Sequence, residues 1–371
     1  MGIRRNSFAN KHRDAWVEIN IGNLEHNICE IQKFIKSENM KIMAVVKADA
    51  YGHGAVMCAQ TLLASGVEAL GVASIDEGLE LRENKITAPI LVLGAVPIWA
   101  FAAAQEHDII LSVFNEQHLE AAKQLFEKTK SQVRVHIKVD TGMNRIGIRT
   151  SEAQEFIQKV KAAPYLKLEG IFTHFADCEN EEILNKQTRS FNELLKNVDR
   201  EGLTIHCSSS GAALLGIESD MLRLGIVLWG LTPFCKEHEK MPNLKQVIAL
   251  KGRITNICHI KKGEGVSYGH SYIAQKDTTV ATIPIGYADG VSRNLSGKIT
   301  GTLNGKTVEQ IGRITMDQMM FEINDDKAQV GDIITLLDEN LSINNWAKEL
   351  GTINYELTCR LKVRLPRIYT R

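Results

Sequence analysis

The sequence predicts an α/β fold: a TIM-type (β/α)8 barrel followed by a mainly β C-terminal domain. Apolar strand-like runs alternate with helix-spaced runs through the first two-thirds of the 371 residues. After Thr232 that alternation gives way to strands separated by glycine-containing turns. Polar residues cluster at the carboxyl ends of the predicted barrel strands, where this architecture places its chemistry.

The eight barrel strands are expected at residues 42–47, 69–74, 90–94, 109–113, 133–139, 168–175, 203–207 and 222–229. Each is a short apolar run, as a strand buried on both faces requires. Helical spacing is clearest in Leu24, Ile28, Ile31 and Ile35, then in Leu119, Ala122 and Phe126, then in Phe191, Leu194 and Leu195. A doubly wound sheet is the competing topology, but no Gly-x-Gly-x-x-Gly turn follows the first strand, which disfavours its dinucleotide-binding version. Trp16-Val17-Glu18-Ile19 is an isolated strand placed to join the second domain rather than the barrel. Residues 235–246, polar and carrying Pro242, read as a linker. The expected division is therefore an N-terminal segment at 1–20, a barrel domain at 21–240 and a β domain at 247–371. In the β domain, Lys262-Gly263-Glu264-Gly265 marks a turn, Asn304-Gly305 carries the signature of a type I′ hairpin, and residues 343–350 form the one expected helix.

Composition narrows the function. Basic and acidic residues balance at 44 each, so no global field favours nucleic acid or an anionic membrane. The longest apolar stretch, 90–104, is too short to span a bilayer and is broken by Gly94 and Pro97. The basic start at 1–13 lacks the apolar segment of a signal peptide and reads as a frayed end; Gly2 matches a myristoylation site poorly, with Asn6 where Ser or Thr is wanted. The seven cysteines are scattered without a Cys-x-x-Cys pair, which argues against disulfides and metal alike and fits a reducing, cytoplasmic setting.

Lys47 ends the first barrel strand and precedes the loop-like Ala48-Asp49-Ala50-Tyr51-Gly52-His53-Gly54. An amine delivered to the rim of a sheet can be desolvated, which lowers its pKa and suits it to Schiff-base chemistry. After the seventh strand, Ser208-Ser209-Ser210-Gly211 opens a helix-like run, either as a phosphate cradle or as a plain N-cap, and Gly225-Ile226 lies on the adjacent strand. A lysine for an aldehyde beside a phosphate cradle suggests pyridoxal phosphate. A Schiff-base aldolase, which needs no cofactor, is the alternative at this point.

Seven strings carry a more specific signal: 46–54, Val139-Asp140-Thr141-Gly142-Met143, Thr173-His174-Phe175-Ala176, Arg223-Leu224-Gly225-Ile226, Val266-Ser267-Tyr268-Gly269, Ile285-Gly286-Tyr287-Ala288-Asp289-Gly290 and Met316-Asp317-Gln318. Together, in this order, they resemble alanine racemase from about Trp16 to Tyr369. The resemblance implies pyridoxal 5′-phosphate linked to Lys47, with Tyr51, Ser210, Tyr355 and the backbone at Gly225 and Ile226 on its phosphate. It implies Arg223 facing the pyridine nitrogen and His174 beside the ring, bonded to Arg223. It assigns the two proton-transferring bases to Lys47 and to Tyr268 of a neighbouring copy in a head-to-tail homodimer. Cationic His174 and Arg223 would then stabilise the Tyr268 phenolate. Substrate carboxylate, from L-alanine or D-alanine, would meet Arg145 and the neighbouring copy's Met316. Lys138 matches a lysine that is carbamylated in several relatives, and Arg293 and Arg313 match residues near the entrance. Asn144, Ser209, Trp229 and Thr315 depart from the usual pattern, where Gly, Asn, Tyr and Cys are common. A serine or broad-specificity racemase and a non-catalytic cofactor-binding protein remain the alternatives.

Overall fold

The computed structural model describes residues 12–35, 40–235, 238, 241–324 and 327–371. The Gly2 site and most of the basic start therefore lie outside the described residues, as does part of the expected linker. A first strand, β1 (Ala15–Asn20), precedes the barrel strands β2 (Lys41–Val45), β3 (Ala69–Val72), β4 (Ile90–Val92), β5 (Ile110–Val113) and β6 (Val133–Asp140). A two-residue strand β7 (Ile148–Arg149) pairs only with β6, and β8 (Leu166–Phe172), β9 (Thr204–His206) and β10 (Met221–Leu224) complete the ring. The order β10-β2-β3-β4-β5-β6-β8-β9 is parallel throughout, and a bridge between Ser209 and Arg223 closes it. All eight expected strands are present in sequence order.

Helices cover the outside of the ring. Helix Ile21–Ile35 buries Leu24, Ile28 and Ile31, and helix Glu181–Leu195 buries Leu184, Phe191, Leu194 and Leu195, each a stripe three or four residues apart. Several helix starts are capped by a side-chain oxygen: Asn115 accepts from His118 N–H at 3.0 Å and Asn180 from Ile183 N–H at 3.1 Å. Among the described residues no helix is long and apolar enough to cross a membrane.

A second sheet follows, built from β11 (Ile248–Arg253), β12 (Asn256–Ile260), β15 (Thr278–Ile283), β16 (Thr300–Leu303), β17 (Lys306–Ile311), β18 (Met319–Ile323), β19 (Ile333–Leu337) and β20 (Arg367–Thr370), with a separate hairpin of β13 (Gly265–Val266) and β14 (Tyr272–Ile273). The first and last of the described strands lie side by side in it: β1 runs antiparallel to β11 and parallel to β20. Asn304 and Gly305 both have positive φ, 49° and 77°, as a type I′ turn demands between β16 and β17.

Three local expectations need correction. The first barrel strand ends at Val45, two residues before Lys47. The eighth ends at Leu224, and residues Ile226–Trp229 form a 3₁₀ turn instead. The β domain contains a second helix, Asn354–Arg360, beside the expected Ile343–Leu350.

Candidate active site

A cavity of about 640 Å³ opens at the carboxyl ends of the barrel strands. It is lined by Val45 and Lys47 after β2, Lys138 on β6, Phe172 and His174 after β8, Ser209 and Ser210 after β9, and Arg223, Gly225 and Ile226 at β10. Helix Asn354–Arg360 closes one side with Tyr355, Glu356, Cys359 and Arg360.

Lys47 begins a helical turn, Lys47–Gly52, that is left-handed: Ala48, Asp49, Ala50 and Tyr51 have φ between 53° and 55°. Left-handed helical backbone costs an L-residue roughly 1–2 kcal/mol, so these four carry about 4–8 kcal/mol of local strain. Hydrogen bonds from several directions offset it. Glu77 takes Ala48 N–H on one carboxylate oxygen at 2.8 Å and Ala73 N–H on the other at 2.7 Å, and Asp49 accepts from Ala55 N–H at 2.8 Å. The sequence reading of these residues as an irregular loop missed the turn, because no glycine marks positions 48–51. Its effect is to set Lys47 and Tyr51 on the same cavity.

The cavity is strongly cationic. Lys47, Lys138, Arg145, Arg223, Arg360 and Lys362 line it against a single carboxylate, Glu356, which already pairs with Arg360 and accepts from Thr352. Lys47 opens on the cavity, yet desolvation pulls its amine pKa below the usual value, and the charge of Arg145 adds to this. Lys138 is pushed down to about 7, first by burial and then by Arg223. Its Nζ donates to Val139 O at 2.7 Å. Arg145 makes no ion pair with another described residue. Its loop is shaped by Asp140, which accepts N–H bonds from Gly142 and Asn144 at 3.0 Å each. Asn144 has φ 56°, a left-handed conformation that both Asn and Gly adopt readily, so the departure at this position leaves the loop's backbone intact.

Arg223 is a buried guanidinium with no carboxylate partner among the described residues. Its Nη2 donates to Thr173 O at 2.8 Å and Cys207 O at 3.0 Å, and lies 3.3 Å from His174 Nδ1. Its Nη1 lies 3.1 Å from His206 Nδ1. A guanidinium only donates, so neither Nδ1 carries a proton toward it: His206 Nδ1 accepts from Nη1, His174 Nδ1 shares one of the two Nη2 hydrogens with the carbonyls, and both rings carry their proton on Nε2. His206 thereby donates onward to His136 Nδ1 at 2.8 Å. Burial, then the Arg223 charge, drives His174 down to about 3 and His206 well below its ordinary value. The expected cationic His174 is therefore a neutral imidazole whose Nε2–H has no partner among the described residues. Burial also lowers Arg223, to about 10, which leaves it charged near neutrality.

Tyr51, Ser210 and Gly225 meet at the other end of the cavity. Ser210 Oγ accepts Gly225 N–H at 2.9 Å, which leaves the hydroxyl hydrogen free to donate. Ser210 is thus bonded across to β10 and does not act as a plain N-cap. A Cβ on Gly225 would lie 2.5 Å from Tyr51 Oη, so only glycine allows that hydroxyl to approach the backbone. Tyr51 and Tyr355 rings sit 6.0 Å apart, and burial raises both phenols' pKa, keeping them as donors. These hydroxyls, the cationic wall and the lysine amine fit a phosphorylated aldehyde with a ring nitrogen that accepts from Arg223.

Two expected site residues are absent from the cavity of their own chain. Tyr268 is 71% exposed on the short turn Tyr268–His270, and Met316 is 54% exposed on the loop between β17 and β18. Ser267 Oγ donates to Arg313 O at 2.8 Å, which ties the Tyr268 turn to that same loop. Arg293 and Arg313 are exposed. Thr315 bonds Gln318 through both its N–H and its hydroxyl, holding the Met316 turn closed. Sequence reasoning missed His136 and His206 behind Arg223, although alternation along β6 places His136 on the same face as Lys138. It also missed Glu356, Cys359 and Arg360, whose helix is short and starts without a side-chain cap.

A family profile described as alanine racemase, N-terminal domain, matches residues 19–233, and one described as alanine racemase, C-terminal domain, matches 247–369. The chain is 41% identical over 370 residues to an alanine racemase of Nostoc sp., covering 95% of each. Its structure resembles an alanine racemase of Clostridium difficile with a TM-score of 0.92 at 36% identity, covering 97% of both chains. It also resembles a histidine racemase of Leuconostoc mesenteroides subsp. sake, with a TM-score of 0.91 at 29% identity, over 98% of this chain and 100% of that one. With its cationic cavity on a parallel barrel, a β domain after it and matches along nearly its whole length, the chain belongs to the alanine racemase family.

Proposed function

We propose that the protein interconverts L-alanine and D-alanine with pyridoxal 5′-phosphate attached at Lys47. The observation that carries this reading is the excess of cations around a pKa-lowered lysine in one cavity. A phosphate and a substrate carboxylate are the anions such a wall would hold. When bound, the cofactor supplies an electron-withdrawing ring that acidifies the substrate's α-hydrogen.

The chain's own groups supply the rest. Tyr51, Ser210, Tyr355 and the backbone at Gly225 and Ile226 hold the phosphate, and Arg223 donates to the ring nitrogen. Because Arg223 cannot give up its proton, it keeps that nitrogen unprotonated and limits charge withdrawal, which favours prompt return of the proton to the α-carbon. Lys47 Nζ moves the proton on one face. Tyr268 of a second copy moves it on the other, with neutral His174 Nε2–H as the donor available to its oxygen and Arg223 as the nearby charge. Arg145 binds substrate carboxylate, assisted by the Met316 backbone of the second copy. The exposure of Tyr268 and Met316 on one β-domain face supports a homodimer with shared sites. Seven free cysteines support a cytoplasmic location, and the domain division at 1–20, 21–240 and 247–371 is part of the same reading.

The test is α-hydrogen exchange of L-alanine in deuterium oxide with chiral analysis of the product, in wild type, Lys47→Ala and Tyr268→Phe. Wild type should form D-alanine, Lys47→Ala none, and Tyr268→Phe far less. Cofactor-loaded wild type that exchanges no alanine hydrogen would sink the reading. L-serine and L-histidine belong in the same assay, because a histidine racemase is among the solved structures this chain resembles.

A further inference from the structure

We propose that His53 and Arg367 are positioning residues for Lys47: one at the end of the turn itself and one from the last strand of the β domain, they hold residues 48–51 left-handed. The proposal rests on Lys47 being the cofactor-bearing lysine. Neither residue lines the cavity.

His53 Nδ1 lies 2.9 Å from Ala50 O and 3.1 Å from Tyr51 O. Both partners are acceptors, so Nδ1 carries the proton and donates to two successive carbonyls of the left-handed turn. The ring is fully buried and stacked on Trp229 with centroids 4.6 Å apart, while Tyr51 meets the same indole at 6.0 Å. One aromatic wall thus backs both the clamp and the phosphate-facing tyrosine. Nε2 has no partner among the described residues, so Nδ1–H is the ring's polar anchor.

Arg367 acts from the β domain. Its Nε and Nη2 donate to Gly52 O at 3.2 and 3.1 Å, and the rest of the guanidinium donates to Leu361 O, Lys362 O and Leu365 O at 2.7–2.9 Å. One planar group therefore brackets the end of the turn to the segment that contributes Lys362 to the cavity. The strand bearing it is itself pinned, Arg367 opposite Val17 in the β1–β20 ladder. Contact is close: a Cβ on Gly52 would lie 2.4 Å from Thr358 O.

Left-handed backbone is uphill for Ala, Asp and Tyr, so the turn persists only where its surroundings over-determine it. Released, residues 48–51 would rotate toward the right-handed basin, and Tyr51 would no longer face the cavity that Lys47 serves. A contact that merely added stability would not single out these groups.

The experiment compares His53→Leu, His53→Asn and Arg367→Gln with wild type. Asn places an amide N–H close to where Nδ1 stands, and Leu removes it. Two readouts are used: amide hydrogen exchange across residues 48–54 in the cofactor-free protein, which does not depend on the racemase reading, and the pyridoxal phosphate concentration that half-saturates attachment at Lys47. In His53→Leu and Arg367→Gln both should worsen by about tenfold or more, with cofactor-free unfolding temperature little changed, while His53→Asn stays within about threefold of wild type. Exchange and half-saturation within about twofold of wild type in Arg367→Gln, or equal losses in His53→Asn and His53→Leu, would overturn the proposal. Should His53→Leu fail to fold, Arg367→Gln decides.

Discussion

Lys47, Lys138, Arg145 and Arg223 converge on a cavity whose one lining carboxylate, Glu356, is already paired with Arg360. Lys138 is the residue where this imbalance has the plainest chemical outlet. With its amine near 7, a sizeable neutral fraction exists at neutral pH, and a neutral amine adds carbon dioxide where an ammonium cannot. The resulting carbamate would set a negative charge among Arg145 and Arg223 and give Arg145 the partner it lacks among the described residues. Carbon-13-labelled bicarbonate should therefore yield a protein carbamate signal by NMR at pH 8 that is absent in Lys138→Gln and fades as pH falls below about 7, where the amine protonates. No signal at pH 8 would remove carbamylation from the reading. Removing bicarbonate should raise KM for alanine several-fold, because Arg145 loses its orienting charge.

Among the elements, the barrel strands were legible because each is a short, doubly buried apolar run, and the Asn304-Gly305 hairpin because its turn type demands those residues. The left-handed turn was not. Ala and Tyr have no local preference for that conformation and Asp only a weak one, and what imposes it comes from His53, Glu77 and Arg367, up to 315 residues away in sequence. Lys47 was found as a reactive group, but the device that presents it depends on tertiary contacts that no local pattern encodes. Helix Asn354–Arg360 escaped for a related reason: seven residues without a side-chain cap give too little periodicity to read. The left-handed turn also reaches Gly225. Ala at this position would place a methyl 2.5 Å from Tyr51 Oη. Since Tyr51 is held by the strained turn, it yields little. Gly225→Ala is expected to weaken pyridoxal phosphate binding by about tenfold or more while leaving the barrel folded, as read by cofactor titration beside circular dichroism. Unchanged affinity would mean that the Tyr51–Gly225 approach has no part in holding phosphate.

At the scale of the whole molecule, four buried histidines and Lys138 bind protons less readily when folded than when unfolded, and this shapes the pH dependence of stability. His53 and His136 titrate at about 4, His174 at about 3 and His206 well below 6.5, in every case chiefly because burial disfavours the charged ring. Unfolded imidazoles take up protons below about 6.5, whereas these four resist protonation until well below that. The unfolded state therefore gains protons first, and stability falls as pH falls through that window, each histidine contributing up to about 1.4 kcal/mol per pH unit. Between pH 6.5 and 5 the four together would remove up to about 8 kcal/mol, comparable with the whole stability of an ordinary domain. Lys138 acts with the same sign in a separate window: its amine is lowered from 10.5 to about 7, so stability also declines as pH drops from about 10 toward 7. Urea unfolding of the cofactor-free protein should show both declines. In Lys138→Met the alkaline decline should shrink and the acid one remain. A midpoint that stays level from pH 7.5 to 5 would mean that the interior histidines accept protons in the folded state, and the neutral Arg223–His206–His136 chain behind the cavity would have to be redrawn.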